Sequence, residues 1–405
     1  MESDRALGGS TADVVVVGGG TVGAWCAYFL CRMGAGRVVL LERSALGQGA
    51  SSRAAGIVRS QGGTPTAVVL AEWSRSFYLS QHDELGIDSG FVRQGYFLPA
   101  FTDDDIDAAR RRLSMPQGLG LAVRWVEPDE AAGLNPTMDM SSVRGGTFAE
   151  GDGFINPPRN VAAYTVALQR GGVAVHEGVA FEGLVRSGGR LTGVETSEGL
   201  VTTGTVVLTG GPQLAEVGRR AGVSIPAGGV RHQVAVTEAH PDLDPARVPM
   251  VFDVAAGLYW RPEEGGLLFG MSNPDDVPGK ATAIDEDYLQ RMRTRLGELV
   301  PLTTSLGLRR LWAATIDYTP DHLPILGPGL GPDGPLAGVT VASAGGHGMM
   351  WGPGVARAAA DLALTGTTAV VDTASLGLDR FDENGCSRLA PDPIALPFPE
   401  RTLIP

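Results

Sequence analysis

Cysteine is scarce: Cys26, Cys31 and Cys386 are the three in 405 residues, with no CxxC pair, which argues against a disulfide framework and against a zinc centre. No histidine cluster stands at ligand spacing, so no metal site is expected. Long apolar runs are missing as well. No uninterrupted stretch reaches the length of a membrane span, and residues 1–12 lack the cationic start and apolar centre of a secretion signal, so a cytoplasmic protein away from membranes is expected. Positive charge is in short supply too. With 32 lysines and arginines against 45 acids the net charge is -13, which opposes nucleic acid and anionic membranes and leaves a small molecule as the expected partner.

Glycine, by contrast, is abundant. Its 58 residues are about twice the usual share, spread through intact apolar periodicity. That distribution signals tight turns and close backbone approaches rather than low complexity. A chain of 405 residues buries one large core and a smaller one, so two interleaved domains are expected.

Residues 13–17 are a β-branched run ending in glycines, 21–33 carry apolar residues at helical spacing, and 37–41 read as a second strand. This order is a parallel βαβ unit. Strands follow at 91–100 and 121–126 around a charged helix at 103–113, then a helix at 160–170 and short strands across 173–211. Further strands read at 230–236, 257–261 and 266–271, with a helix at 284–299; the chain returns to the first sheet through a strand at 338–342 and a helix at 353–364. The expected fold is α/β: a Rossmann-type domain at 12–88, 141–229 and 311–385, interleaved with a substrate domain on an antiparallel sheet at 89–140 and 230–310. Residues 386–405, rich in proline, read as a tail extended over the surface.

Gly18, Gly20 and Gly23 form GxGxxG between the first strand and first helix, and Glu42 ends the second strand. The first glycine permits the turn, the second lets backbone approach a diphosphate, and the third lets helix pack on strand. The helix start, with Thr21 and Val22, adds N–H groups and a positive dipole. Glu42 suits the ribose hydroxyls. The loop after Arg43 is built of small residues, Ser51, Ser52, Arg53, Ala54, Ala55, Gly56 and Ile57, as backbone lying on a large flat cofactor requires. Near the other end Gly345, Gly346, His347, Gly348, Met349 and Met350 precede a helix. Their N–H groups suit a ring that turns anionic on reduction, as the flavin of FAD does.

Taken with the segments Asp152-Gly153-Phe154-Ile155-Asn156-Pro157, Thr209-Gly210-Gly211 and Thr319-Pro320-Asp321, these motifs resemble the D-amino-acid-oxidase-like flavoproteins. Within them the similarity is to the branch of sarcosine oxidase and its β-subunit-like relatives, dimethylglycine dehydrogenase and glycine oxidase, over nearly the whole chain. The resemblance implies extended FAD, with Phe181 and Gly210 among its contacts, and oxidation of a C–H next to nitrogen. The substrate would be a small amine or amino acid, N-methyl or cyclic; oxygen or another carrier would accept the electrons.

It further implies that Arg59 holds a substrate carboxylate and that His347 lies at the flavin edge and donates to its C2=O or touches substrate. Tyr259, on the strand at 257–261, reads as cover for the substrate pocket or as core packing. Where some members attach flavin through cysteine this chain has Ala314, and no histidine occurs between Ala45 and Gly63, so FAD is expected to be non-covalent. Met350 and Leu268 stand where relatives carry lysines, one for the carboxylate and one for reaction with oxygen. His232, between Arg231 and Gln233, reads as a structural pairing residue where the chain crosses between domains. Two other readings stay open: attack on a C–OH or C–C bond, and a non-catalytic FAD-binding subunit. Oligomeric state is not indicated.

Overall fold

Val14–Val17 is buried at every position, as befits a β-branched run with parallel neighbours and covered faces. In the computed structural model, which describes residues 7–394 and Phe398, this strand pairs in parallel with Val38–Glu42 and Val206–Leu208. Ala174–Glu177 extends the sheet at one end, and Gly334–Ser343, then antiparallel Ile325–Gly331, at the other. Alternate side chains feed two cores. Val14 and Val16 meet the helices Thr21–Arg32, Pro157–Gly171 and Gly352–Thr365, while Val15 and Val17 meet a four-stranded sheet containing Phe181–Ser187 and Arg190–Thr196. This is the Rossmann-type arrangement read from the sequence.

The second large sheet has eight strands, in the order Leu308–Tyr318, Gly228–Thr237, Gly266–Ser272, Leu258–Glu263, Met250–Asp253, Tyr96–Pro99, Gly146–Ala149 and Val123–Val126. All its pairs are antiparallel except Met250–Asp253 with Tyr96–Pro99. The helix Glu286–Leu299, capped by Asp285, packs Tyr288, Leu289, Met292 and Leu296 into its core. No described helix is long and apolar enough to cross a membrane.

Three departures from the sequence reading bear on the site. A helix of 21 residues, Pro65–Leu85, occupies a stretch given no element. Its ends were legible: Thr64 accepts from the Ala67 N–H at 3.2 Å, Pro65 sits in the first turn and Gly86 turns left-handed at φ 64°. Its interior hid it, because buried Val68, Leu70, Ser74, Phe77 and Gln81 make no clean apolar stripe. Second, two strands cross the expected domain limits. Gly146–Ala149 pairs with Tyr96–Pro99 and Val123–Val126, and Leu308–Tyr318 runs against the full length of Gly228–Thr237. Third, the tail does not simply lie over the surface. Asp392, Ile394 and Phe398 are buried; the remainder of 395–405 lies outside the described residues.

The segment Asp152-Gly153-Phe154-Ile155-Asn156-Pro157 has a structural purpose. Gly153–Phe154 is the middle of a three-stranded ribbon, and a Cβ on Gly153 would fall 2.0 Å from the Val92 carbonyl oxygen. Asn156 caps the following helix by accepting from the Arg159 N–H at 2.9 Å.

Candidate active site

A cavity of about 750 Å³ is bounded by both large sheets. At one end it is lined by Gly18, Gly20, Thr21, Val22 and Gly23, where strand turns into helix. A Cβ on Gly23 would lie 1.9 Å from the Gly18 oxygen, and one on Gly18, at φ 103°, 2.2 Å from the Thr209 oxygen. Both positions admit only glycine. A Cβ on Gly20 would meet only Ser51 Oγ, at 3.2 Å; the protein itself barely restricts this position, as expected where backbone must approach a diphosphate.

The helix Thr21–Arg32 has Gly20 at its N-cap and no side-chain cap. Its first turn therefore offers N–H groups and a positive dipole to the cavity. Ser51 Oγ, a buried acceptor, takes the Thr21 N–H at 2.9 Å and lies 3.1 Å from Thr21 Oγ1. Glu42 is held by two backbone donors, Gly19 N to Oε2 and Ser44 N to Oε1, both 2.8 Å, and each oxygen keeps a lone pair for a ligand. A cradle that side chains would fill, an uncapped helix start and an aimed carboxylate together fit a dinucleotide.

Gly346, His347, Gly348, Met349 and Met350 line the middle of the same cavity, in a turn that runs into Gly352–Thr365. His347 is 6% exposed; its Nδ1 lies 3.1 Å from the Gly345 carbonyl and its ring 4.2 Å from that of Trp351. Burial, then the positive charge of Arg59, pushes its pKa down to about 3, so the ring is neutral. A carbonyl only accepts, which puts the proton on Nδ1 and leaves Nε2 an acceptor. In that tautomer His347 meets a substrate donor through Nε2; donation to a flavin C2=O, the other role read from the sequence, takes the opposite tautomer.

At the far end Arg59, Tyr96, His232, Phe252 and Tyr259 converge. Arg59 is 4% exposed, donates to the Gln61 carbonyl and, at 2.8 Å, to that of Ile394, and stands 5.7 Å above the Phe252 ring. It makes no ion pair with a carboxylate among the described residues, and those two bonds use two of a guanidinium's five N–H donors. His232 bridges Ser272 Oγ (2.8 Å to Nδ1) and Tyr259 OH (2.6 Å to Nε2). Burial lowers its pKa to about 4 and raises that of Tyr259, so both are neutral. One ring nitrogen then donates while the other accepts, and reversing the tautomer reverses the polarity of the Tyr259–His232–Ser272 chain.

The family model described as "DAO: FAD dependent oxidoreductase" matches residues 13–362. The chain belongs to that family. It is 29% identical over 378 residues to 4-methylaminobutanoate oxidase (formaldehyde-forming) of Paenarthrobacter nicotinovorans, covering 91% of this chain and 45% of the relative. Mitochondrial sarcosine dehydrogenase of Mus musculus is 28% identical over 333 residues, 78% of this chain and 36% of that protein. The chain thus spans less than half the length of these curated relatives. Among solved structures, that of glycine oxidase from Geobacillus kaustophilus superposes with a TM-score of 0.80 at 26% identity, over 92% of this chain and 100% of that one.

In this member of the FAD dependent oxidoreductase family the cavity gathers nearly all the cofactor residues expected from sequence, Arg43, Arg53, Ala54, Ala55, Gly56, Ile57, Phe181 and Gly210 included. Ser52 and Gly345 are not on its wall. Arg53 turns back on its own loop, donating to the Gln48 and Gly49 carbonyls, and its own carbonyl accepts from Trp312 Nε1 at 2.9 Å. Gly345, at φ 55°, donates its N–H to Ser343 Oγ, which in turn donates to Asp317. Leu268 is packed in the core of the eight-stranded sheet, whereas Ala314 and Met350 do line the cavity. Sequence reasoning passed over Tyr96, Phe252 and Asp317; His232, read as a structural pairing residue, does pair with Ser272 and Tyr259 and also lines the cavity. Its signal was the polar run Arg231-His232-Gln233 inside a mostly apolar strand.

Proposed function

We propose that the protein oxidises a C–N bond of a small amine that carries a carboxylate, an N-methyl or cyclic amino acid being the best fit. One observation carries this reading: Arg59 presents a buried positive charge to the cavity with no carboxylate in ion-pair contact among the described residues, buried Asp152 acting on it only through space. Such a charge is costly unless an anion meets it, and a carboxylate meets a guanidinium fork with two parallel bonds. FAD, when bound, supplies the two-electron acceptor. The residues do the rest. Arg59 fixes the carboxylate, Phe252 and Tyr96 exclude water around the carbon chain, and Tyr259, backed by His232 and Ser272, offers an oxygen that accepts a hydrogen bond from the substrate amine or donates one to it, according to the tautomer of His232.

Anaerobic mixing with a panel of amines tests this. Amino acids with a secondary or N-methyl amine should bleach the visible flavin absorbance, and the same amines without the carboxylate should not; failure of every amine would sink the reading. We also read the FAD as dissociable, since alanine stands at 314 on the cavity wall and none of the lining residues is cysteine. Acid precipitation should leave the yellow colour in solution.

A further inference from the structure

The family match ends at residue 362, yet a segment beyond it reaches the substrate end of the cavity. Its anchor is the buried ion pair of Arg380 with Asp321, Nε to Oδ2 at 2.7 Å, where Ser387 Oγ also donates to the same carboxylate at 2.5 Å. From there the Asp392 N–H bonds the Asp321 carbonyl at 3.2 Å, and Asp392 Oδ1 accepts from the Ile394 N–H at 2.9 Å. That turn aims the Ile394 carbonyl at Arg59 Nη2, 2.8 Å away. The fit is close: a Cβ on Gly63 would stand 2.1 Å from Asp392 Oδ1 and 2.6 Å from Pro393 Cδ. Phe398, 3% exposed, stacks on Tyr318 at 5.3 Å and sets its edge 6.4 Å from the ring of His347. A Cβ on Gly346 would press on it at 2.7 Å.

We propose that Asp392, Ile394 and Phe398 form a C-terminal brace of the substrate pocket, which fixes the Arg59 guanidinium from outside the family domain and backs the turn that carries His347. They are positioning residues. No carboxylate among the described residues hydrogen-bonds Arg59, so its direction is set by two carbonyls, and one of them belongs to this brace. A pocket finished this way takes part of its selectivity from a segment that lies beyond the family match. The brace as a structural unit stands on these contacts alone; its effect on substrate rests on the carboxylate reading of Arg59.

The test uses the full-length holoenzyme and four variants, Gly63→Ala, Asp392→Ala, Asp392→Asn and Phe398→Ala, with three measurements. These are flavin content, the rate at which phenylglyoxal labels Arg59 as read by peptide mass, and a benzoate titration followed by the flavin spectrum. Gly63→Ala and Asp392→Ala should keep their flavin and raise Arg59 labelling about tenfold or more, because a buried group reacts only as fast as its cover opens. Asp392→Asn retains the Oδ1 acceptor and should label like the parent. Phe398→Ala should weaken benzoate binding several-fold at unchanged flavin content. Parent-like Arg59 labelling in flavin-loaded Gly63→Ala and Asp392→Ala overturns the brace. Loss of flavin from Asp392→Ala and Phe398→Ala alike overturns it too, by making the segment a strut of the whole fold. Should the parent bind no benzoate while Asp392→Ala still exposes Arg59, the carboxylate reading fails and the brace stands.

Discussion

At the nucleotide end of the cavity most contacts come from backbone and short side chains within 18–57, whereas at the substrate end Arg59, Tyr96, His232, Phe252 and Tyr259 arrive from separate strands and loops, with Ile394 behind them. The first end is local chemistry, in which glycine is required because carbonyl oxygens lie where a Cβ would be. The second is tertiary chemistry. Its residues are unremarkable one by one, and acquire a purpose only because the eight-stranded sheet sets Tyr259 against His232 and the end of the chain folds back on Arg59. Substitutions that separate cofactor retention from substrate selection either sharpen this contrast or erase it.

The largest expected effect lies at the nucleotide end and comes from two neighbouring glycines. Gly23→Ala drives a methyl to within 1.9 Å of the Gly18 oxygen and should cost about 3 kcal/mol or more, yielding colourless, poorly folded protein. Gly20→Ala meets only Ser51 Oγ at 3.2 Å; its apoprotein should melt close to the parent while flavin affinity falls. Thermal melts of apoprotein with a flavin titration check both. Equal melting temperatures for the two variants would show that the cradle is less tightly packed than these distances say.

Arg59→Ala is the counterpart at the other end. It should leave flavin content unchanged and raise KM for a carboxylate substrate by a factor equivalent to about 2–5 kcal/mol, the usual loss for a buried charge-assisted contact. Steady-state kinetics on matched substrates with and without the carboxylate would show it as a KM effect on the first alone. An unchanged KM removes Arg59 from the site.

That asymmetry also decides how much was legible beforehand. The βαβ unit, its glycines and Glu42 were readable because strand, turn and helix follow in about 30 residues, each with its own signature. Pro65–Leu85 was not, since a helix buried on several sides loses the amphipathic stripe. The strand Leu308–Tyr318 was given no element, and the expected domain limit cut through it, because its partner, Gly228–Thr237, lies about 70 residues back and register between distant strands leaves no local trace. Asp392 and Phe398 read as surface tail for the same reason: their burial depends on Gly63 and Tyr318, which no spacing connects to them.

A pH change acts mainly on the substrate end. The unfolded chain takes up protons on histidine near pH 6.5, while folded His232 and His347 resist until about 4 and 3, so both contribute stability that is lost as pH falls below 6.5. Buried Asp152 has the opposite sign. Its pKa is raised to about 6 from 3.8, so its burial penalty shrinks as pH falls through 6 and offsets part of that loss. The net change from pH 7 to pH 5 should be on the order of 2 kcal/mol of destabilisation, measured by urea unfolding of apoprotein. His232→Asn should flatten the profile. A parent no less stable at pH 5 than at pH 7 would mean that water reaches these rings.

The smallest effect returns to the nucleotide end and concerns a single carboxylate. Glu42 accepts backbone N–H groups on both oxygens, from Gly19 on one side and Ser44 on the other. Glu42→Gln keeps one acceptor and replaces the other with an NH₂ that faces a backbone donor, so one turn N–H loses its partner and a ribose hydroxyl loses an anionic acceptor. Each loss is modest because the site is partly wet; together they should weaken FAD binding by about 1–2 kcal/mol with little change in the fold. Fluorescence titration of apoprotein with FAD gives the Kd, and kinetics at saturating FAD give KM. If the two ends are independent, Kd rises by roughly tenfold while KM for substrate stays where it was, and in the double variant with Arg59→Ala the two penalties add. A KM that moves with Glu42 would mean that the cradle and the substrate pocket shift as one body, and the contrast between them would then be one of composition only.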